Sequence, residues 1–316
     1  MNEPLQMLLD GLRETCQKPD PAALYYLSNL DAQEADRVCR VWTELPADLR
    51  VELTKWMVEM AEADFTLNFG AIFRMGMEDR DPRVREAAID GLWEDEDVRL
   101  VPPLAERLRE DESTRVRAAA ARSLGRYVLL GELERIRPRP LRMAYEALVE
   151  AYQTRTEAAE VKRRALESLA YVCDDTVVTS IREAYGSSTE KVRISAVFAM
   201  GRSADTRWER EVQQELFSTN PEMRYEAARA CGKLQLSEAV SMLEELTEDA
   251  DIEVQEAAIW ALGQVGGDRA REILDYYCQV SDETLRSAAE AAVREFEFLH
   301  GDLEDVFAEL SEEPCW

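Results

Sequence analysis

Apolar residues recur along the chain in short helical stretches, each bounded by turn residues. In DIEVQEAAIWALGQVGG, residues 251–267, the small and apolar side chains from Val254 to Leu262 form one face at the 3.6-residue spacing of an α-helix. Asp251 is placed to cap the start of this helix, and the glycines near its end are placed to close it. Trp260 lies about 240° round the helix from Val254, on the side away from the apolar face. The pattern therefore predicts a helix that points its largest apolar side chain outward.

Copies of this stretch organise most of the chain. We take the first apolar residue of each copy as its anchor and count positions from it. Six clear copies have the anchors Val84, Val116, Val192, Met223, Val254 and Leu285, the last four 31 residues apart and the first two 32 apart. A weaker copy is anchored at Val161, 45 residues beyond Val116, so about 14 extra residues intervene. The segment LERIRPRPLR, with two prolines, predicts an insertion near residues 130–140.

Each copy follows a second amphipathic stretch, which predicts a unit of helix A, a tight turn and helix B. Asp, Ser or Asn before the anchor caps helix B, alanines at +3, +4 and +7 allow close approach to neighbouring helices, and glycine at +9 ends the helix. The basic residue at +1 is expected to bridge to acidic cap residues of neighbouring repeats; these residues are Arg85, Arg117, Lys162, Arg193, Arg224 and Arg286. No stretch of useful length alternates as a β-strand does. The fold class predicted is all-α, an α-solenoid of about eight helical pairs.

The pattern D-P-x-V-R-x-A-A-x-x-x-L at a period near 31 residues resembles HEAT-like repeats of the short type named after phycobilisome lyases. The resemblance covers about residues 65–295, and residues 31–64 look like one degenerate pair. It implies an alpha-alpha superhelix that serves as a protein-interaction scaffold, with helix B lining the concave face. The division expected is N-terminal capping helices in 1–30, the solenoid in 31–299 and an acidic C-terminal cap or tail in 300–316.

The net charge of −27 disfavours nucleic acid and anionic membranes as general partners. No apolar run approaches the ~20 residues of a membrane span, and the first 20 residues predict a capping helix rather than a signal peptide. The six cysteines contain no CxxC pair, which favours reduced thiols and a cytoplasmic protein. Cys231 lies on an apolar helix face and is interpreted as a small hydrophobic core residue.

Enzymatic activity is not predicted. Family members that hydroxylate a modified lysine hold two irons with paired His-Glu motifs, whereas this chain has one histidine, His300, with no obvious partner. DNA glycosylases of the family need a basic groove, and no catalytic motif of the bilin lyases can be matched. Phosphate-binding glycine loops and nucleophile motifs are missing from the sequence. The sequence therefore predicts no catalytic residue, no metal site and no cofactor.

The outward positions of helix B, +2, +6, +9 and +10, carry the candidate site. The middle copies are aromatic and basic there, and the outer copies are acidic. The predicted partner-binding residues are Arg122, Arg126, Tyr171, Phe198, Arg202, Tyr225, Arg229, Lys233 and Trp260. Aromatic and arginine side chains dominate binding hot spots, which favours a groove for an extended or helical peptide with acidic and apolar residues. The alternative is that Trp260 covers a neighbouring helix B, with Arg229 stacked on it.

The function predicted is thus a scaffold or adaptor that binds a partner protein through this surface. Two other functions stay open: a lyase-like or chaperone-like accessory protein that handles a small molecule, and a structural protein that self-assembles end to end. The acidic tail, whose Leu303, Val306, Phe307 and Leu310 form an amphipathic pattern, has the composition that the cationic groove would accept. Pairing of tail and groove between copies would be one route to self-association.

Overall fold

A computed structural model describes residues 3–300, and the secondary structure in that range is helical throughout, with no strand. The chain divides into two compact units, residues 1–169 and 170–316, which we describe separately. Within residues 3–300 the A and B helices form eight consecutive pairs, from α2/α3 to α16/α17 in the numbering below. The prediction of an all-α solenoid of about eight helical pairs is confirmed.

The first unit contains α1 to α9 and two short 3-10 helices. Its elements are α1 (Glu3–Thr15), a 3-10 helix (Pro21–Leu27), α2 (Ala32–Trp42), α3 (Ala47–Ala63), α4 (Gly70–Gly76), α5 (Pro82–Gly91), a 3-10 turn (Val98–Leu100), α6 (Val101–Glu110), α7 (Thr114–Glu132), α8 (Pro138–Gln153) and α9 (Ala159–Leu169). The B helices α3, α5, α7 and α9 pack in sequence, each on the next. The division into a cap at 1–30 and a solenoid from residue 31 stays a prediction.

The second unit contains α10 to α17. Its elements are α10 (Asp175–Tyr185), α11 (Glu190–Arg202), a 3-10 turn (Thr206–Trp208), α12 (Glu209–Glu215), α13 (Pro221–Lys233), a 3-10 turn (Ser237–Ala239), α14 (Val240–Leu246), α15 (Ile252–Val265), α16 (Asp268–Tyr277) and α17 (Glu283–His300). The B helices α11, α13, α15 and α17 again pack in order. The predicted tail, apart from His300 at its start, lies outside the described residues.

The predicted insertion near 130–140 is built mostly into helices. Helix α7 has 19 residues, against 13 or 14 in α11, α13 and α15, and α8 has 16. Pro138 occupies the first turn of α8, where its missing N–H has no helical partner to lose. The extra residues therefore lengthen helix B of one pair, α7, and helix A of the next, α8, with only a short connection between them.

Basic residues at +1 tie neighbouring turns together, as the sequence predicted, in three of the six copies. Arg85 makes two hydrogen bonds, of 2.8 and 2.7 Å, to the carboxylate of Asp111 at the start of the next repeat. The same bridge joins Arg117 to Glu157 and Arg224 to Asp249, and an unpredicted fourth joins Arg50 to Asp79. Lys162, Arg193 and Arg286 bridge to no acid of the next repeat within residues 3–300.

The same +1 side chain also closes its own turn. Arg85, Arg117 and Arg224 each donate to the backbone carbonyl six residues earlier, over 2.7–2.8 Å. In the copy that has glutamine at +1, Gln255 donates to the carbonyl of Asp249 in the same way. We refer to this set of +1 contacts as the turn ladder, because each bridging arginine holds one turn by its carbonyl and the next by its acid.

Glycine at +9 does not end helix B, contrary to the sequence prediction. Gly125, Gly201, Gly232 and Gly263 all lie inside helices, and α15 continues to Val265, just before Gly266 with its φ of 77°. A Cβ placed on these four glycines would meet the +7 residue of the next B helix, which is Ser168, Ala230, Ala261 and Ala292 in turn. At Gly201 that Cβ would lie 2.7 Å from the Cα of Ala230. Glycine therefore permits consecutive B helices to pack backbone against backbone.

Candidate protein-binding site

The nine predicted site residues fall into two groups, one in each unit. Arg122 and Arg126 lie on α7 in the first unit. Arg122 is ion-paired with Asp90 of the preceding B helix, and Arg126 donates to the carbonyl of Leu92 over 2.6 Å. Both arginines therefore already have partners within the first unit. The candidate binding site consists of the other seven residues.

Those seven residues lie in the second unit and form what we call the cation–aromatic strip. The strip consists of Tyr171, Phe198, Arg202, Tyr225, Arg229, Lys233 and Trp260, and each of these residues is half-buried. The +6 and +10 positions of one helix are a turn apart on the same face, which places Phe198 beside Arg202 on α11 and Arg229 beside Lys233 on α13. Since α11, α13 and α15 pack side by side, their outward residues form adjacent rows.

Cations and rings alternate along the strip. The guanidinium carbon of Arg202 lies 4.6 Å from the ring centroid of Tyr171 and 4.3 Å from that of Phe198. Lys233 Nζ approaches Phe198 from the neighbouring helix, at 4.9 Å. Such contacts contribute about 0.5–1 kcal/mol each at exposed positions, and they help to order these half-buried side chains.

Trp260 packs on the neighbouring B helix. Its ring faces Arg229, whose guanidinium carbon is 3.5 Å from the ring centroid. Its Cζ3 would lie 2.6 Å from a Cβ on Gly232, so the indole covers the glycine of α13 directly. This is the packing that the sequence offered as the alternative to a free contact residue. The indole is nevertheless only half-buried, and the part that faces solvent stays accessible to a ligand.

Three positive charges are concentrated on the strip. Burial lowers the pKa of the Lys233 ammonium below its ordinary value, the nearby Arg202 and Arg229 lower it further, and Glu226 opposes the shift. Within residues 3–300 no carboxylate lies within 4.0 Å of the side-chain nitrogens of Arg229 or Lys233. Arg229 and Lys233 are like charges one turn apart, an arrangement that costs about 0.2–0.5 kcal/mol on a helix. The strip is therefore an electropositive site on a chain whose net charge is −27.

His300 has a partner that sequence reasoning missed. Its Nε2 lies 3.0 Å from the carbonyl oxygen of Gln264, and its ring packs near Phe296 of its own helix. Gln264 lies one turn beyond Trp260 on α15, so the last described residue of the chain lies beside the strip. The sequence held a signal for this position, since Gln264 occupies +10 in the same row as Lys233 and Arg202.

Among residues 3–300, no group of three or more His, Cys, Asp or Glu side chains is placed to hold a metal ion. No helix of that range has both the length and the apolar composition that crossing a membrane requires. Cys231 is buried, as predicted, and burial raises the pKa of its thiol to about 12.

Comparison with known proteins agrees with the helical pairs. A family model for HEAT repeats matches residues 73–136 and 209–294. These two ranges are HEAT repeats. They include α5 to α7 of the first unit and, in the second, α12 to α16 with most of α17, hence part of the strip. No curated protein matches this chain.

Solved structures of proteins with several functions are similar to this chain. Importin beta in an ammonium sulfate condition has a TM-score of 0.50 and 13% identity, over 98% of this chain and 49% of that one. The complex of CpcE and CpcF of phycocyanin lyase from Nostoc sp. has a TM-score of 0.44 and 18% identity, over 61% and 75%. Human deoxyhypusine hydroxylase in complex with glycerol has a TM-score of 0.36 and 15% identity, over 93% and 97%. At these identities the similarity concerns the fold alone.

Proposed function

We propose that this protein is a non-enzymatic scaffold that binds a partner protein through the cation–aromatic strip. The observation that carries the proposal is the presence of Arg229 and Lys233 together, with no carboxylate of residues 3–300 within 4.0 Å of their side-chain nitrogens, on a chain with a large excess of acids. Charged side chains without opposite partners destabilise the free protein slightly and are tolerated where binding uses them. The ligand supplies the missing carboxylates.

The rings define the second requirement of the ligand. Phe198 and Trp260 lie against the cations, and both rings, like that of Tyr225, are only partly buried. Aromatic and arginine side chains are the types that contribute most to protein interfaces. The partner segment therefore carries acidic residues interspersed with apolar ones, in extended or helical form. A nucleic acid would meet the same cations, but the strongly negative surroundings repel a phosphate backbone. We place the protein in the cytoplasm and assign it no cofactor.

A display library of peptides that combine acidic and aromatic residues tests this proposal. Selected peptides are expected to bind the wild-type chain in isothermal titration calorimetry. Their affinity for the R229E variant should be at least tenfold lower. The matched control is R210E, the same charge reversal at exposed Arg210 on α12 of the same unit. Binding should also weaken as salt rises from 50 to 300 mM, because the contacts are charged. Circular dichroism spectra confirm that both variants fold.

Two results would overturn the proposal. One is a library that yields no ligand sensitive to R229E, and the other is equal weakening by R229E and R210E, which would indicate general electrostatics rather than a site. Affinity capture from a lysate with wild type and a W260A/R229E double variant then identifies the natural partner. A coloured or copurifying small molecule would instead favour the lyase-like or chaperone-like accessory function.

A further inference from the structure

The geometry points to a ligand for the strip within the chain itself: residues 301–316 bind across the cation–aromatic strip in the same molecule and compete with the partner. This inference rests on the proposed function, because it assigns a regulator to the same site. It is carried by three observations: where residue 300 is held, what the following residues are, and how far they must reach. Residues 301–316 themselves lie outside the described range.

The starting point of the segment is fixed by His300. Its Nε2 contacts the carbonyl oxygen of Gln264 at 3.0 Å, and its ring would meet a Cβ on Gly266 at 2.7 Å. The end of α17 thus lies on the end of α15, within one turn of Trp260. The segment that follows begins at the edge of the strip, whatever direction it then takes.

The charge of the segment complements the strip. GDLEDVFAELSEEPCW contains six acidic residues and no basic one, and its apolar residues include Leu303, Val306 and Phe307. The strip presents Arg229 and Lys233 without carboxylate partners within residues 3–300, and each of them contacts an aromatic ring of a neighbouring helix, Trp260 and Phe198 respectively. The segment therefore has the composition that the site requires of its ligand.

The distances match as well. Gln264, Lys233 and Arg202 occupy the same +10 position on α15, α13 and α11. Packed helices are about 8–10 Å apart, so Lys233 is about one spacing from the start of the segment and Arg202 about two. An extended chain covers about 3.3–3.6 Å per residue, so about three residues reach Lys233 and about six reach Arg202. The acids 302, 304 and 305 fall within that reach.

Attachment to the same chain favours this contact over a second copy. A ligand joined to its site through a few residues of the same chain has an effective concentration of about millimolar, well above that of the protein in solution. A partner must then displace the segment, and its apparent affinity falls accordingly. Removal of the segment's charge, or its capture by another protein, would open the strip.

Hydrogen exchange measured by mass spectrometry on the intact chain tests the inference. Amides of residues 303–316 are expected to exchange at least tenfold more slowly in the wild type than in a synthetic peptide of that sequence. The double variant R229Q/K233Q should restore the peptide's rate. The matched control K191Q/R210Q removes one lysine and one arginine at exposed positions of the same unit, and it should keep the protection.

A tail variant separates binding from folding. The substitutions D302N, E304Q and D305N change no described residue. Together they should abolish the protection and raise the affinity of an acidic library peptide for the strip at least tenfold. Exchange at the free-peptide rate in the wild type, or equal protection in R229Q/K233Q, would overturn the inference. Protection that disappears on dilution would also overturn it, since the ligand would then be the segment of a second copy.

The two proposals can fail independently. If an acidic peptide binds the strip while residues 303–316 are unprotected, only the inference about the segment is wrong. If the segment is protected through Arg229 and Lys233 but no acidic peptide binds even the tail variant, the scaffold function at this surface is wrong and the contact is internal packing.

Discussion

Replacement of Asp111 by asparagine should destabilise the first unit far more than the same replacement at Asp90. Both aspartates pair with an arginine of an adjacent B helix, but their surroundings differ. The side chain of Asp111 is 0% exposed and that of its partner Arg85 is 7% exposed, whereas Asp90 and Arg122 are 36% and 54% exposed. The two variants thus make the same chemical change in a buried ion pair and in a solvent-exposed one.

The magnitude follows from the contacts that Asp111 makes. Arg85 donates to both carboxylate oxygens, and the backbone N–H of Ser113 donates to one of them over 2.9 Å. Breaking a buried ion pair costs about 3–5 kcal/mol because the remaining charge stays buried. Arg85 keeps its bonds to the carbonyls of residues 79 and 80, so we expect the lower end, about 3 kcal/mol. For D90N the exposed pair predicts at most about 1 kcal/mol.

The dependence on pH gives a second signature. Burial pushes the pKa of Asp111 upward, but the hydrogen bonds from Arg85 and the Ser113 N–H outweigh it, and the pKa is lowered overall. A carboxyl group with a lowered folded pKa stabilises the fold above its unfolded pKa of about 3.9 and loses that contribution as pH falls through the folded value. The stability difference between wild type and D111N should therefore narrow below about pH 4.

Urea unfolding followed by far-UV circular dichroism measures both variants, and hydrogen exchange of the α5–α7 amides reports on the first unit itself. A loss for D111N below about 1 kcal/mol, equal to that for D90N, would refute the reasoning. It would mean that water or a rearranged side chain takes the place of the Asp111 carboxylate beside Arg85, and that the turn ladder contributes little to stability.

Three further outcomes are expected. G201A should cost at least about 1 kcal/mol in urea unfolding, since its Cβ would press on the next helix backbone, whereas G11A, which meets nothing within 4 Å, should stabilise by about 0.5–1 kcal/mol. In the native protein Cys231, buried and with its pKa raised to about 12, should resist a thiol reagent at pH 8 that labels exposed Cys16. Peptide binding to the strip should weaken as pH rises through the lowered pKa of Lys233, because the neutral amine no longer attracts a carboxylate; an affinity that does not change up to pH 10 would contradict this.

The repeat architecture was predictable because each copy carries the same local sequence signals. Anchors, caps and the small residues of helix B recur at fixed offsets, and Asp81, Asn220 and Asp251 cap their helices as their residue types indicate. The glycine at +9 was misread for a physical reason. A glycine near a helix end has the same local sequence context whether it ends the helix or allows a neighbouring helix to pack closely. Only the small residue at +7 of the next copy distinguishes the two cases.

The site was predictable as a row of residues but not as a set of contacts. Periodicity placed Phe198, Arg229 and Trp260 on the same face, and it could have paired Arg122 with Asp90, since both occupy +6 in consecutive copies. The bond from Arg126 to the carbonyl of Leu92 depends on where α5 ends, which no pattern in the sequence specifies. Long flexible side chains have many rotamers, so their partners follow from the packed structure.

The turn ladder has a consequence for how the protein melts. In repeat proteins, cooperativity depends on the coupling between nearest neighbours. Within residues 3–300, the first unit has three bridges from an arginine to the next turn, at Arg50, Arg85 and Arg117, whereas the second has one, at Arg224. Loss of a single turn in the first unit removes a partner from its neighbour, so that unit should lose its structure as a block. The repeats that carry the strip are less tightly coupled and can open one at a time, so the second unit should unfold more gradually on heating than the first.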